Sequence, residues 1–361
     1  SSDVCSSDLE YELTDQLELV LGARVTHDNK TSTFLWNSLS VGIAFPALGP
    51  VPAIPASNTI TPRDPIVPPA YKKTKPNFMI GLNYKPNSDT LIYGKWSSSF
   101  VSGGSTAGLE YEPETASSFE LGFKGDFLDR KLRTNLALFY VDYQHFQQPS
   151  SFTSNEATAF AVPILSNLYG PTIGALLPSS LSTFVIDTGH VRAKGFELEV
   201  TALPTNGLLM GGSIAYTDVN FVTVPAAFLA SQRGEYTPSN RPKWTASAFA
   251  SYETQPLFGD ATLGFRLDGI FRSRYVLTST PKFQSLAPYN ANALAVPPHW
   301  KLNGRVALKH INVGGAKAEL AFWAKNLTDT KYQNSTLFLN QGTAVNFDPA
   351  RTFGVELGIE F

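Results

Sequence analysis

Phe353-Gly354-Val355-Glu356-Leu357-Gly358-Ile359-Glu360-Phe361 places an apolar side chain at every odd position and glycine or glutamate at every even one. A period of two sends successive side chains to opposite faces, so the stretch predicts a β-strand with one apolar and one polar face. The same alternation recurs upstream. Leu17, Leu19, Leu21, Ala23 and Val25 alternate with Gln16, Glu18, Gly22 and Arg24, and Phe78, Ile80, Leu82 and Tyr84 with Asn77, Gly81 and Asn83. Phe119, Leu121 and Phe123 alternate with Glu120, Gly122 and Lys124, and Phe196, Leu198 and Val200 with Glu197, Glu199 and Thr201. Trp244, Ala246, Ala248, Ala250 and Tyr252 share a face, as do Leu263, Phe265, Leu267 and Phe271 opposite Arg266, Asp268 and Arg272. Trp300, Leu302, Val306 and Leu308 alternate with Lys301, Asn303, Arg305 and Lys309. Segments 89–99, 131–146, 207–218 and 315–327 are strand-like by β-branched and aromatic content, which brings the expected total to about twelve strands.

The links between these segments alternate in length. Short turns such as Lys85–Asp89, Phe127–Lys131, Pro204–Gly207 and Asn312–Gly315 interleave with long connections near 27–74, 100–114, 147–189, 219–239, 275–297 and 328–350. Soluble sandwiches space their turns more evenly, whereas an outer-membrane barrel joins strands by short periplasmic turns and long extracellular loops in strict alternation. The long links are rich in Pro, Ser, Asn and Ala, as in the Pro-dense Phe45–Pro69, and are expected to be irregular surface loops.

Composition agrees with strands in a membrane. Of 361 residues, 43% are hydrophobic and 12% aromatic but only 16% charged, against roughly 25% in ordinary soluble domains. Mean hydropathy is near zero, and no stretch approaches the roughly 18 apolar residues of a spanning helix, so a crossing has to be made by strands. A soluble sandwich satisfies the alternation too. Trp96, Trp244, Tyr252 and Trp300 near strand ends, and a charged face wide enough to line a lumen, favour lipid. The fold class expected is all-β, an antiparallel transmembrane β-barrel, here a partial barrel. The formal net charge of −2 offers no basic footprint for nucleic acid.

The single cysteine, Cys5, allows neither an intrachain disulfide nor a cysteine-based zinc site. It lies in Ser1–Leu9, which is polar and unlike the rest, and Asp3–Leu9 back-translates to GAC GTG TGC TCT TCC GAT CT, resembling a sequencing-library adapter. Residues 1–9 are therefore set aside as adapter read-through or a disordered terminus, and 10–361 are read as the barrel segment.

Five segments, in order over nearly all of 10–361, resemble the barrel domain of TonB-dependent outer-membrane receptors. Asp15-Gln16-Leu17 through Gly22-Ala23-Arg24 resembles that family's Gly-x-Arg strand. Pro113-Glu114 through Phe119-Glu120-Leu121-Gly122-Phe123-Lys124 is similar to its Pro-Glu-x(4)-Tyr-Glu-x-Gly-x-Lys motif, with Phe119 in place of Tyr. Gly195-Phe196-Glu197 matches a Gly-x-Glu strand. Asn326-Leu327-Thr328-Asp329-Thr330-Lys331-Tyr332 looks like Asn-Leu-x-Asp-x-x-Tyr, and Pro349 through Arg351, Phe353 and the terminal Phe361 look like the closing strand.

The resemblance implies a receptor that imports a scarce nutrient, most often a ferric siderophore, from the bacterial outer membrane. It implies surrounding outer-membrane lipid, the barrel assembly machinery, which can read Phe361, and TonB, engaged through an N-terminal part this chain lacks. A complete member has a signal peptide, a TonB-box segment and a plug inside a barrel of about 22 strands. The chain is thus expected to be the C-terminal half of the barrel, a fragment incapable of gated transport. An even count of twelve strands would let it close as a smaller antiparallel barrel.

Among the motif residues Glu114, Glu120, Gly122, Gly195, Glu197, Asn326, Asp329, Tyr332, Arg351, Phe353 and Phe361, a structural role is expected; Asn and Asp cap strand ends and Tyr suits the interface. Glu199, Arg266, Asp268, Arg272, Lys301 and Arg305, with Glu120, Lys124 and Glu197, are placed in the lumen. There they would meet a plug or a substrate route, or form a hydrated wall with unspecific cross-strand pairs. His27, His145, His190, His299 and His310 lack ligand spacing, so no metal site is read, and the first four are expected as exposed polar groups near the extracellular ends. Phe152, Phe160, Tyr169, Phe228, Tyr236, Phe283 and Tyr289 could stack on a ligand or pack the loops. No cofactor is implied. A complete small porin and a barrel enzyme are the rival readings, although no Gly-x-Ser-x-Gly segment or reasoned Ser, His and acid set is present.

Overall fold

A computed structural model of the chain describes residues 2–31, 33, 37–41, 58–62, 70–106, 109–151, 162–164, 166–168, 170–171, 183–187, 189–223, 240–277, 295–339 and 342–360. In chain order the strands begin with β1 (Ser2–Thr14), β2 (Leu17–Lys30), β3 (Asn37–Val41), β4 (Asn58–Pro62), β5 (Tyr71–Asn87) and β6 (Thr90–Val101). β7 (Gly104–Thr106), β8 (Leu109–Tyr111), β9 (Glu114–Phe127), β10 (Leu132–Gln144), β11 (Gln147–Ser151) and β12 (Thr183–Asp187) follow. Then come β13 (His190–Thr205), β14 (Leu208–Thr223), β15 (Trp244–Glu253), β16 (Thr262–Arg272), β17 (Tyr275–Val276) and β18 (Ala295–Val296). The last are β19 (His299–Val313), β20 (Ala316–Lys325), β21 (Gln333–Leu339), β22 (Gly342–Phe347) and β23 (Thr352–Glu360).

Thirteen strands form one sheet in the order β1-β2-β5-β6-β9-β10-β13-β14-β15-β16-β19-β20-β23. Each long strand therefore pairs with the next long strand in the chain, and every ladder between them is antiparallel. Strand count and the start of the fold differ from expectation. The additional strand is β1, in which Ser2–Asp8 continue the ladder against β2 and Leu9 and Tyr11 lie opposite Leu21 and Leu19. Backbone pairing is indifferent to side chains, so a polar segment without alternation can still extend a ladder; that is why periodicity overlooked it.

The long connections also hold more order than their composition suggested. β3–β4, β7–β8, β11–β12, β17–β18 and β21–β22 are two-stranded ribbons within them. A long link has backbone donors and acceptors that need partners, and folding back on itself supplies them.

The two faces of the sheet separate as the alternation requires. Ile80 lies opposite Trp96, Trp96 opposite Phe119, Leu121 opposite Leu138, and Leu138 opposite Phe196. Farther along, Val306 lies opposite Phe322, which lies opposite Val355. These side chains are open on their outer side, Leu121 to 54% and Val355 to 72%. A continuous apolar face of that extent is stable in contact with hydrocarbon and not with water. An aromatic belt crosses it where Phe196, Tyr216 and Trp244 stand side by side, with the Tyr216 and Trp244 rings 4.8 Å apart, and where Phe271 meets Trp300 at 5.0 Å. Phe353, Val355, Leu357 and Ile359 belong to the apolar face, while Glu356 lies on the other, 3.6 Å from Arg305. Phe361 lies outside the described residues.

Candidate functional site: the polar wall and its junction with the loops

The polar face is a wall of paired charges. Glu120 takes an ion pair from Lys95 at 3.1 Å and a hydrogen bond donated by the Tyr93 hydroxyl at 2.7 Å, and Lys124 stands 5.8 Å from the centre of the Tyr93 ring. Asn135 donates to Glu199 at 3.4 Å, with Glu197 on the same face two residues away. Arg266 pairs with Asp268 at 2.7 Å, lies against the Phe249 ring and sits directly opposite Arg305. Two cations facing each other need anions, and Arg305 is ion-paired to Glu319 on β20 and to Glu356 on β23. Arg272 and Lys301 share that face beyond them. The structure thus brings Arg266, Asp268 and Arg305 together, while Glu120, Glu199 and Lys301 each belong to separate groups.

Two motif glycines have a packing explanation. Gly122 lies opposite Tyr93 and Gly195 opposite Phe139. A Cβ on Gly122 would fall 2.1 Å from the Tyr93 ring, and one on Gly195 1.9 Å from the Tyr216 carbonyl oxygen. The aromatic ring fills the space left by the missing side chain across the ladder. Gly122→Val should cost about 1–3 kcal/mol through overpacking. Gly94→Val, where a Cβ meets nothing within 4 Å, is the control. Urea unfolding of the detergent-solubilised protein should show a lower midpoint for the first variant only; equal midpoints would remove the packing role.

The two C-terminal motifs form one unit at the junction of β20, β23 and the loop between them. Asn326 is 2% exposed and has φ 54°, and Asp329 has φ 49°, a left-handed backbone that Asn and Asp tolerate better than other residues. The Asn326 side chain donates to the carbonyls of Thr330 (3.0 Å) and Pro349 (3.2 Å) and accepts from the Thr330 N–H (3.0 Å) and Thr328 hydroxyl (3.2 Å). The Arg351 N–H donates to Asp329 at 3.2 Å, and Arg351 Nη1 to the Leu327 carbonyl at 3.4 Å. Tyr332 is buried with its ring stacked 3.9 Å from that of His299, beside Tyr275 and Val296, and burial pushes its phenol above the usual value. Lys301 closes the unit by an ion pair with Asp348. At the start of β9, Glu114 similarly accepts the Gln147 N–H at 2.8 Å.

Two of the histidines depart from expectation, whereas His27 and His145 are exposed. His299 is 7% exposed and its Nδ1 is 2.9 Å from the Pro297 carbonyl; His190 is half-buried with Nε2 2.8 Å from Asp142. Both start a strand, where neighbouring strands supply partners that a free loop lacks. His27 lies in β2, 2.7 Å from the Thr74 hydroxyl. Phe152, Phe160, Tyr169, Phe228, Tyr236, Phe283 and Tyr289 lie outside the described residues. Sequence reading missed Lys95, Glu319 and Asp348 as partners of the wall. It also missed a charged group on the outward face formed by Asp142, His190, Arg192, Lys194 and Asp218, whose signal was charge at the parity of Tyr140, Phe196 and Tyr216.

A broad antiparallel sheet with one face fit for lipid and the other lined by paired charges defines the wall of a membrane-spanning β-barrel. The chain belongs to the TonB dependent receptor-like, beta-barrel family, whose profile matches residues 7–327. Members of that family are β-barrels of the outer membrane of Gram-negative bacteria, which places the chain there. It is 24% identical over 253 residues to the "Probable TonB-dependent receptor BfrD" of Bordetella pertussis, covering 62% of this chain and 30% of the relative. It is 23% identical to the ferric-pyoverdine 358 receptor of Pseudomonas putida, covering 58% of this chain and 20% of that one. Among solved structures, the ferric yersiniabactin uptake receptor FyuA of Yersinia pestis aligns with a TM-score of 0.69 at 15% identity, over 100% of this chain and 45% of its own. BauA, the ferric preacinetobactin receptor of Acinetobacter baumannii, aligns with a TM-score of 0.61 at 17% identity, over 100% and 42%. The chain therefore spans less than half the length of each of these proteins.

Proposed function

We propose that the protein carrying this chain is a TonB-energised receptor that imports a ferric siderophore, and that it binds and transports without catalysis. The observation that carries the reading is the family match over 7–327, joined to likenesses with proteins named as receptors for ferric pyoverdine, yersiniabactin and preacinetobactin. The charged wall supports it, because a route for a hydrophilic chelate needs a hydrated lining. Glu199, Arg266, Asp268, Arg272, Lys301 and Arg305 would line that route, and the Asn326–Arg351 junction would hold the loop above it. The barrel would be inserted by the outer-membrane assembly machinery. Its segment is taken as residues 10–361, since Cys5 and Ser7 place polar groups at the parity of Leu9 and Tyr11.

The test is radio-iron uptake by cells lacking the gene and by cells carrying it complete. A panel of ferric pyoverdine, hydroxamate and catecholate chelates should reveal one whose uptake requires both the gene and TonB. Equal uptake of every chelate in the two strains would remove the siderophore reading.

A further inference from the structure

Beyond the aromatic belt, the lipid-facing parity of β10, β13 and β14 changes from apolar to charged. Tyr140 lies opposite Lys194 and Asp142 opposite Arg192; Lys194 in turn lies opposite Asp218, and Arg192 opposite Asn220. All share the face of Leu138, Phe196 and Tyr216. At the rise of an extended strand, Lys194 and Arg192 stand about 7 and 14 Å along β13 from Phe196. That is the level of lipid headgroups, because Trp and Tyr belts mark the membrane interface.

The group is built and not a scatter of surface charge. Asp142 is held by His190 Nε2 (2.8 Å), Arg192 Nε (3.0 Å) and Gln144 Nε2 (2.8 Å). Asp218 is held by Lys243 Nζ (2.6 Å) and Asn220 Nδ2 (2.7 Å), and that contact raises the Lys243 pKa. The carboxylates orient two cations whose heads stay open, with the Arg192 side chain 47% and that of Lys243 60% exposed. Lys194 is exposed and makes no ion pair within 4.0 Å among the described residues. Three cations against two carboxylates leave surplus positive charge on a surface continuous with the lipid-facing wall. On the other face, by contrast, Lys95 pairs with Glu120, Arg266 with Asp268, and Arg305 with Glu319 and Glu356.

We propose that Arg192, Lys194 and Lys243 bind the phosphate of a lipid headgroup in the outer leaflet, anchoring a particular lipid against β13 and β14. Arg192 supplies a planar donor fork and the two lysines point charges, a combination suited to a phosphomonoester. Asp142 and Asp218 are positioning residues. The inference rests on the outer-membrane placement and not on what is transported, so a failed uptake assay with intact lipid retention would sink only the siderophore reading.

The intact receptor, purified in mild detergent, is incubated with bisphosphorylated lipid A or its dephosphorylated form, and retained lipid is counted by native mass spectrometry. Wild type should retain the phosphorylated form at least about tenfold better, since each basic residue near an anionic surface contributes about fivefold. Lys194→Gln, which breaks no ion pair, should lose about fivefold, and the triple Arg192→Gln/Lys194→Gln/Lys243→Gln variant should fall to the level of the dephosphorylated lipid. Equal retention of the two lipids by wild type would overturn the proposal, as would unchanged retention in Lys194→Gln. Displacement of the lipid by millimolar inorganic phosphate would also overturn it, by showing a site for the free anion.

Discussion

Residues 10–361 refolded alone into detergent micelles should show weak heat-modifiable mobility and remain sensitive to protease. Among the described residues, β1 and β23 each pair with one neighbour, β2 and β20. The far edge of each presents backbone N–H and C=O groups, and every such group left unpaired in hydrocarbon costs several kcal/mol. Over a strand as long as β23 the sum is on the order of tens of kcal/mol, more than the roughly 5–15 kcal/mol by which folded domains are stable. Closure of β1 onto β23 would relieve the edges, and an even number of strands would let it be antiparallel. Thirteen strands in alternating directions instead leave β1 and β23 running the same way, so closure would require a parallel pair. Removing residues 1–9 shortens β1 and weakens that route further. A robust, protease-resistant barrel that shifts on heating would refute this expectation.

Leu121→Arg should be far more damaging than Glu120→Ala, one residue away. Leu121 sits on the apolar face between Gly94 and Leu138, below Phe119 and above Phe127, so its side chain meets hydrocarbon. An arginine there costs about 2–4 kcal/mol near the midplane of a barrel. Glu120 faces the polar wall, and loss of its partly exposed pair with Lys95 costs about 0–1 kcal/mol. In the intact receptor, Leu121→Arg should lower the urea midpoint and the fraction of heat-modifiable protein strongly, with Glu120→Ala close to wild type. The reverse order would mean that the two faces are assigned the wrong way round.

How much could be read from the chain follows from which interactions are local. Alternation is a property of neighbouring residues, so Phe119–Lys124, Phe196–Thr201 and Phe353–Phe361 disclosed strands and the polarity of both their faces. The spacing of short and long links disclosed an up-and-down order, because antiparallel neighbours need short turns at one end. Ser2–Asp8 carry no period, and their ladder against β2 depends only on backbone groups. The ribbons in the long links were hidden for the same reason.

The functional wall was legible as a list and not as an arrangement. Parity alone put Arg266, Asp268 and Arg305 on one face. That Arg266 would stand opposite Arg305, with Glu319 and Glu356 compensating from the next two strands, depends on register across four strands. Asn326, Asp329 and Arg351 were recognisable as two motifs, but the hydrogen bonds that join them span more than 20 residues of chain.

The sequence by itself determined an all-β chain, two faces of opposite polarity and the alternating turns, because these depend on residues one or two positions apart. Tertiary structure alone decided the register, the partners of each charge, the buried His299–Tyr332 stack and which residues meet in the outward cluster around Arg192 and Lys194. Those depend on which strands lie side by side, and a period of two carries no information about the neighbouring strand.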